Sequence, residues 1–265
     1  MKHIASRQNP VITRYRSVAR GEKAGDRKFL VLDGPHLVDE ALAAGLSIQH
    51  ALVAADAVNR PDMATIVSSL EARNVELHTA SPSVLNAASP VQSPSGIVAI
   101  AIRPSGGEAR IYGSARPLVV IACDVQDPGN LGAIVRVAEA AGAAGVVAAG
   151  MCADPFGWKA LRGSMGSALR LPIAVTTDTR QAVADAVTHG CRTVAAVPRD
   201  GESLFEVDLA PPLAILIGGE GAGLPPTLID KATLRVTIPM QEPVESLNAA
   251  VTAAILVYEA RRQRN

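Results

Sequence analysis

Asn130, Gly132 and Arg136 lie in the stretch Asp127-Pro128-Gly129-Asn130-Leu131-Gly132-Ala133-Ile134-Val135-Arg136, a turn signal that runs into an amphipathic segment. The segment predicts a helix with the Asn130 amide at its mouth and the Arg136 guanidinium inside it. An amide both donates and accepts, and a guanidinium clamps a phosphate or an oxyanion. Gly132 and Arg136 are four apart and share a helix face. A helix interior disfavours Gly by about 1 kcal/mol relative to Ala, so Gly132 is expected to leave space beside the guanidinium. Taken alone, the stretch reads equally well as an ordinary capped helix with a surface arginine.

Two later segments could join it. Gly218-Gly219-Glu220-Gly221-Ala222-Gly223 follows an apolar run. Its glycines expose backbone N–H and C=O groups with little steric cover, which suits an adenosine ligand read by main-chain contacts. The Glu220 carboxylate can orient a donor such as Asn130 or Arg136. The loop lacks the G-x-G-x-x-G spacing of dinucleotide-binding turns, and no P-loop lysine follows. The third segment is Ile238-Pro239-Met240-Gln241-Glu242-Pro243-Val244-Glu245-Ser246-Leu247-Asn248. Ser246 is expected to cap the last helix, and Asn248 to offer a free amide in its first turn.

The surrounding pattern is alternating α/β. Helices are predicted over 11–19, 35–44, 61–73 and 81–88, with strands over 29–33, 48–54, 75–79 and 97–102. Residues 103–117, rich in Gly, Pro, Ser and charge, read as the link between domains over 1–105 and 118–265, with the linker proper at 106–117. Beyond it, strands are predicted over 118–123, 145–149, 173–176, 191–197, 213–217 and 234–238. Helices are predicted over 130–141, 155–164, 179–189 and 246–262, with a short one near Pro225. Leu247, Val251, Ala254 and Tyr258 give the last helix an apolar stripe, which suits a dimer interface or a monomer's core equally. In an open α/β sheet, ligands sit beyond the carboxyl ends of the strands, where all three polar loops begin.

The chain has 265 residues, is 48% hydrophobic and carries no formal net charge. A sizeable core and no disorder are expected. Charge is uneven: Lys2, Arg7, Arg14, Arg16, Arg20, Lys23, Arg27 and Lys28 face only Glu22 and Asp26 in the first 28 residues. Such a basic arm suits a polyanion, as does the basic end Arg261-Arg262-Gln263-Arg264. Aromatics at 3% argue against base stacking on aromatic platforms. Cys123, Cys152 and Cys191 form no Cys-x-x-Cys pair and read as buried thiols of a cytoplasmic protein. The five histidines are scattered, so no metal site is expected. No signal peptide or membrane span is expected.

Together the three segments resemble the SpoU/TrmH family of RNA ribose 2′-O-methyltransferases, of the knotted SPOUT superfamily. Asn130, Gly132 and Arg136 match its first motif, residues 218–223 its second, and Ile238-Pro239-Met240 with Val244-x-Ser246-Leu247-Asn248 its third. Lys159, Arg162, Ser164 and Gly166 resemble a further K-x-x-R-x-S-x-G segment. Residues 1–102 resemble the small ribosomal-protein-like RNA-binding domain often fused in front. Glu242-Pro243 depart from the pattern, filling a turn where the family usually has Gly.

The resemblance implies a parallel sheet flanked by helices and a deep trefoil knot, with S-adenosylmethionine as cofactor against Gly218, Ile238, Met240 and Leu247. It puts Arg136 at the ribose hydroxyl, held with the substrate by Asn130, Glu220, Ser246 and Asn248. Because a guanidinium is a poor base, Arg136 is read as a stabiliser of the developing alkoxide and a phosphate clamp. Arg7, Arg14, Arg16, Arg20 and Arg162 are the expected RNA contacts. A homodimer through the C-terminal domain is implied, as is ribosomal rather than transfer RNA, with an antibiotic-resistance role left open. The alternatives are a non-catalytic RNA-binding or ribosome-assembly protein that keeps the fold, and a nucleotide-dependent enzyme of another class.

Overall fold

The computed structural model describes residues 1–21 and 24–265. Glu22 and Lys23 of the basic segment lie outside the described residues. The chain forms two units, Met1–Ser105 with Phe156–Arg170, and Gly106–Pro155 with Leu171–Asn265.

The first unit begins with β1 (Lys2–Ile4), α1 (Pro10–Arg20), β2 (Phe29–Asp33), α2 (Pro35–Ala43), β3 (Ile48–Ala54), α3 (Pro61–Ala72), β4 (Glu76–Ala80), α4 (Pro82–Ala88) and β5 (Ile97–Ile102). Its sheet has the order β1-β4-β3-β5-β2. The basic arm is not a fraying terminus. Lys2–Ile4 pairs in parallel with β4, and α1 is set by an Asn9 cap, Pro10 in its first turn and Gly21 at φ 63° beyond its end. Ile12 and Tyr15 are fully buried. The arm therefore folds because one face of α1 is apolar, and its charges project from the other.

The second unit opens with α5 (Gly107–Ile111), β6 (Leu118–Cys123), α6 (Pro128–Ala140) and β7 (Gly145–Ala149). Residues 106–117, read as a linker, thus contain a helix: α5 packs on β7 and on the strand after it, and Ile111 is fully buried. One apolar side chain in a polar, glycine-rich stretch anchors the turn. The chain next supplies α7 (Trp158–Ser164) and α8 (Ser167–Arg170) to the first unit. The 155–164 helix was expected in the C-terminal domain. It packs on β2 instead, with Phe156, Ala160 and Leu161 buried, the Arg103 guanidinium 5.6 Å from the Phe156 ring and Arg170 paired with Glu40.

The second unit resumes with β8 (Ile173–Thr176), α9 (Thr179–Thr188), β9 (Arg192–Ala196), β10 (Glu202–Ser203), β11 (Leu213–Gly218), α10 (Pro226–Ile229), β12 (Leu234–Thr237) and α11 (Ala249–Arg264). Its seven-stranded sheet, order β10-β12-β9-β11-β6-β7-β8, is parallel at every pairing. The β6 and β7 runs are buried throughout, as expected of strands covered on both faces. From β6 the chain winds one way through β7 and β8, then returns to the other side through β9 and β11. β6 and β11 are adjacent, so the winding reverses between them, and their carboxyl ends flank a topological switch point.

Two helix starts differ from expectation. α6 begins at Pro128, because Asp127 is its cap: the carboxylate accepts the Asn130 amide at 2.7 Å. α11 begins at Ala249, not at Ser246, because Asn248 is the cap, accepting from Ala250 and Val251 at 2.9 and 3.3 Å. The 247-251-254-258 stripe is not α11's core face. Ala249, Ala250, Ala253, Leu256, Val257 and Ala260 are buried, whereas Val251 and Tyr258 are 47% and 49% exposed. Small alanines allow α11 to lie close on α6 and β11. Its end is tied down as well: Arg261 donates to the Ala140 carbonyl at 2.5 Å, Arg262 pairs with Glu259 and Arg264 donates to the carbonyls of Leu209 and Arg116. These contacts tie the basic end to the fold, where its composition alone suited a polyanion. Cys123 and Cys191 are buried, Cys152 is half-buried, and all three are free thiols. Among the described residues, no helix is long and apolar enough to cross a membrane.

Candidate functional site

The loops that leave β6 and β11 touch. A Cβ on Gly219 would overlap the Asp124 carbonyl, and one on Gly218 would overlap the backbone at Gly223 and Leu224. Only glycine lets the second loop pass under the first and fold back on itself. The fold-back is held by the Gly223 amide on the Gly219 carbonyl at 3.2 Å. A cavity of about 280 Å³ opens beside it, lined by the ends of β9, β11 and β12 and by Met240, Ser246 and Leu247. Its position beyond the strands' carboxyl ends is that expected of a ligand site in such a sheet.

A chain of hydrogen bonds joins the three predicted loops at this place. Asn130 Nδ2 donates to Glu220 Oε1 at 2.6 Å, and Asn248 Nδ2 donates to Asn130 Oδ1 at 2.9 Å. The backbone amide of Gln126 donates to Glu220 Oε2 at 3.3 Å. A carboxylate only accepts, so Glu220 fixes which end of the Asn130 amide faces it. Asn248 is fixed in turn, because its oxygen is taken by the α11 amides. Partial burial pushes the Glu220 carboxyl up, but the bonds from Asn130 and from backbone amides outweigh it, and the pKa is lowered.

The structure thus brings Asn130, Glu220 and Asn248 into one network. Gly218, Ile238, Met240, Leu247 and Ser246 line the adjacent cavity. Ser246 neither caps α11 nor joins the network, and it is exposed. Gly132 is buried in α6 while Arg136 is exposed, and Arg136 makes no hydrogen bond or ion pair among the described residues. Sequence reasoning missed Gln126 and the capping role of Asp127. The Asp-Pro pair before the helix was the available signal for the cap.

The expected RNA contacts lie in the first unit. Arg7, Arg14, Arg20 and Arg162 are exposed and Arg16 is half-buried. Arg16 donates to the Arg7 carbonyl at 3.2 Å, and Arg14 lies 5.0 Å from the Phe29 ring centroid. Arg162 on α7 acts on Asp33, whose carboxyl is raised by burial against the opposing effects of Ser89 and Arg162.

Residues 117–258 match the SpoU rRNA Methylase family, and residues 31–105 match the domain described as RNA 2'-O ribose methyltransferase substrate binding. The chain is 31% identical to the 23S rRNA (guanosine(2553)-2'-O)-methyltransferase RlmP of Bacillus subtilis, over 98% of this chain and 100% of that one. It is 32% identical to an uncharacterized tRNA/rRNA methyltransferase of Synechocystis sp., over 98% and 94%. Among solved structures, the AdoMet-bound rRNA methyltransferase of Sinorhizobium meliloti superposes with a TM-score of 0.86 at 28% identity, covering 98% of this chain and 97% of that one. The SpoU methyltransferase AviRb of Streptomyces viridochromogenes, in complex with AdoMet, gives a TM-score of 0.85 at 26% identity, covering 97% and 98%. With its three motif loops gathered at one switch point, the chain belongs to the SpoU family of RNA methyltransferases.

Proposed function

We propose that this protein transfers the methyl group of S-adenosylmethionine to a ribose 2′-hydroxyl of RNA, with ribosomal RNA as substrate in preference to transfer RNA. The observation that carries the reading is the Glu220–Asn130–Asn248 chain beside the glycine-loop cavity. The cavity fits the cofactor: its glycines leave backbone groups bare, and Ile238, Met240 and Leu247 give it apolar walls. At about 280 Å³ it lies near the lower end of small-molecule sites, roughly 300–1,000 Å³. The bound cofactor supplies an electrophilic methyl on a sulfonium, which leaves as a neutral thioether.

The protein's residues position and stabilise. Glu220 and Asn248 lock the Asn130 amide, so the mouth of α6 presents one fixed set of polar groups. Arg136, with no partner among the described residues, is free to meet an RNA phosphate and the charge that develops on the 2′-oxygen. Removing one such stabilising donor typically costs ~10²–10³ in rate. Ser246, exposed at the cavity edge, contacts the ribose. Arg7, Arg14, Arg16, Arg20 and Arg162 hold the RNA backbone through the first unit. The uncovered Val251 and Tyr258 side chains on α11 support a homodimer through the second unit. The preference for ribosomal RNA is supported by the full-length relationship to a 23S rRNA enzyme. The protein is read as working in the cytoplasm, with its thiols reduced.

The test is incubation with methyl-labelled S-adenosylmethionine and separate unmodified ribosomal and transfer RNA pools, followed by digestion to nucleosides. Label in a 2′-O-methyl nucleoside from the ribosomal pool is expected. Label confined to transfer RNA overturns the substrate preference. Label in a methylated base overturns the ribose assignment.

A further inference from the structure

His50 on β3 and Glu76 and His78 on β4 share one face of the first unit's sheet. The strands are parallel, with His50 opposite Glu76 and Leu52 opposite His78. Glu76 and His78 are two apart on β4, so the pleat sends all three side chains to the same side. Their donor atoms lie within 4.8 Å of one another. His50 Nδ1 is 3.2 Å from Glu76 Oε2, and His78 Nε2 is 3.5 Å from Glu76 Oε1. The imidazoles are stacked, with centroids 6.4 Å apart. The His78 side chain is 8% exposed, and Nδ1 of both histidines is buried without a hydrogen-bond partner.

An ion pair accounts poorly for this arrangement. It needs an N–H aimed at the carboxylate, yet His50 Nδ1 is close to Glu76 and not hydrogen-bonded to it. A third body between the groups accounts for it better. A tetrahedral ion with bonds of about 2.0–2.1 Å holds its ligands about 3.3–3.4 Å apart. The three donors already lie within 4.8 Å of one another. Each histidine stands at 3.2 or 3.5 Å from a different Glu76 oxygen, so turning the carboxylate to present one oxygen and drawing the imidazoles together closes the site. Two imidazoles and a carboxylate are ligands that Zn²⁺ accepts, and a fourth position is left for water. A cavity of about 220 Å³, lined in part by His50, Arg14 and Tyr15, lies beside the cluster.

We propose that His50, Glu76 and His78 form a Zn²⁺ site that clips β3 to β4 in the first unit. Coordination through His50 Nδ1 leaves the Nε2 proton facing Arg14 Nη1, now 3.5 Å away. Arg14 then moves off, with the Phe29 ring as an alternative seat. Arg14 is the site's electrostatic opponent, so its removal tightens binding. The site is separate from the methyl-transfer loops and does not depend on their assignment.

The experiment titrates the untagged, metal-stripped full chain with Zn²⁺ by calorimetry and with Co²⁺ by absorption. One equivalent of each ion is expected, with intense visible bands of tetrahedral Co²⁺ and no sulfur-to-cobalt charge transfer. Glu76→Gln, at a largely exposed side chain, is expected to weaken binding at least tenfold with an unchanged circular dichroism spectrum, and His50→Gln likewise. Arg14→Gln is expected to tighten it. Absence of binding to the wild type overturns the proposal. So does affinity unaltered by Glu76→Gln, or a thiolate band, which would move the ion to a cysteine.

Discussion

Asn248 does two things at once, and two substitutions separate them. Its oxygen caps α11 and its Nδ2 holds Asn130. Asn248→Ala removes both. Loss of the cap costs about 1 kcal/mol, and loss of the hydrogen bond to Asn130 about 1 kcal/mol more. The sum of about 2 kcal/mol corresponds to a fall in Tm of roughly 4–8 °C for a unit of this size. Asn248→Asp keeps the cap, because aspartate caps as well as asparagine. It also sets a carboxylate oxygen against Asn130 Oδ1. If the Asn130 amide turns over to satisfy the new carboxylate, its oxygen then faces Glu220. One acceptor pair stays unmatched in either orientation, at a cost of about 1–3 kcal/mol, or roughly 5- to 150-fold in rate. The two assays therefore read different losses. In thermal unfolding the aspartate variant keeps the cap's share of about 1 kcal/mol, which offsets part of its acceptor clash, while in single-turnover methyl transfer it ranks no higher than the alanine variant. An aspartate variant that recovers both Tm and methyl transfer would refute the network and leave Asn248 as a cap alone.

Arg136→Ala is expected to keep cofactor affinity in calorimetry and to lose methyl transfer by ~10² or more; equal turnover removes Arg136 from the reaction. Gly219→Ala is expected to abolish the cofactor-induced rise in Tm, since the added methyl meets the Asp124 carbonyl, and a retained rise contradicts the crowding argument. The folded pKa of Glu220 is lowered, so its ionised form contributes stability that is full above the unfolded value of about 4.3 and is lost as pH falls through the lower folded value. The difference in denaturation free energy between wild type and Glu220→Gln should shrink over that window, and a constant difference sinks the assignment. Arg14→Ala with Arg16→Ala is expected to reduce the salt slope of RNA binding by about 1–2; an unchanged slope excludes this face. Val251→Glu with Tyr258→Glu is expected to halve the mass seen by light scattering, and a wild type that is already monomeric discards the dimer.

The elements that position the site were legible because their signals are local. Apolar runs such as Leu118–Cys123 mark buried parallel strands, and the glycine loop marks a place where backbone must be bare. The helix starts at Pro128 and Ala249 were less legible, since several residues in each loop can cap, and three-dimensional bonding chose Asp127 and Asn248. The stripe on α11 left a core face and an interface equally open, because helical periodicity reports that an apolar face exists and not what covers it; the exposure of Val251 and Tyr258 removes the core alternative. A second, alanine-rich face suited the close approach to α6 better.

The sequence by itself determined the α/β pattern, the chemistry of the three loops and the family resemblance they carry, because each is written in contiguous residues. Only the tertiary structure decided what those residues meet. It drew residues 156–170 out of the second half of the chain to pack on β2. It placed Asn130, Glu220 and Asn248 in one hydrogen-bonded line across about 118 residues of sequence. It also set His50 beside Glu76 and His78 on neighbouring strands, where the sequence shows only scattered histidines. The physical reason is common to all three: strand order and register decide which distant side chains share a face, and no local propensity records them.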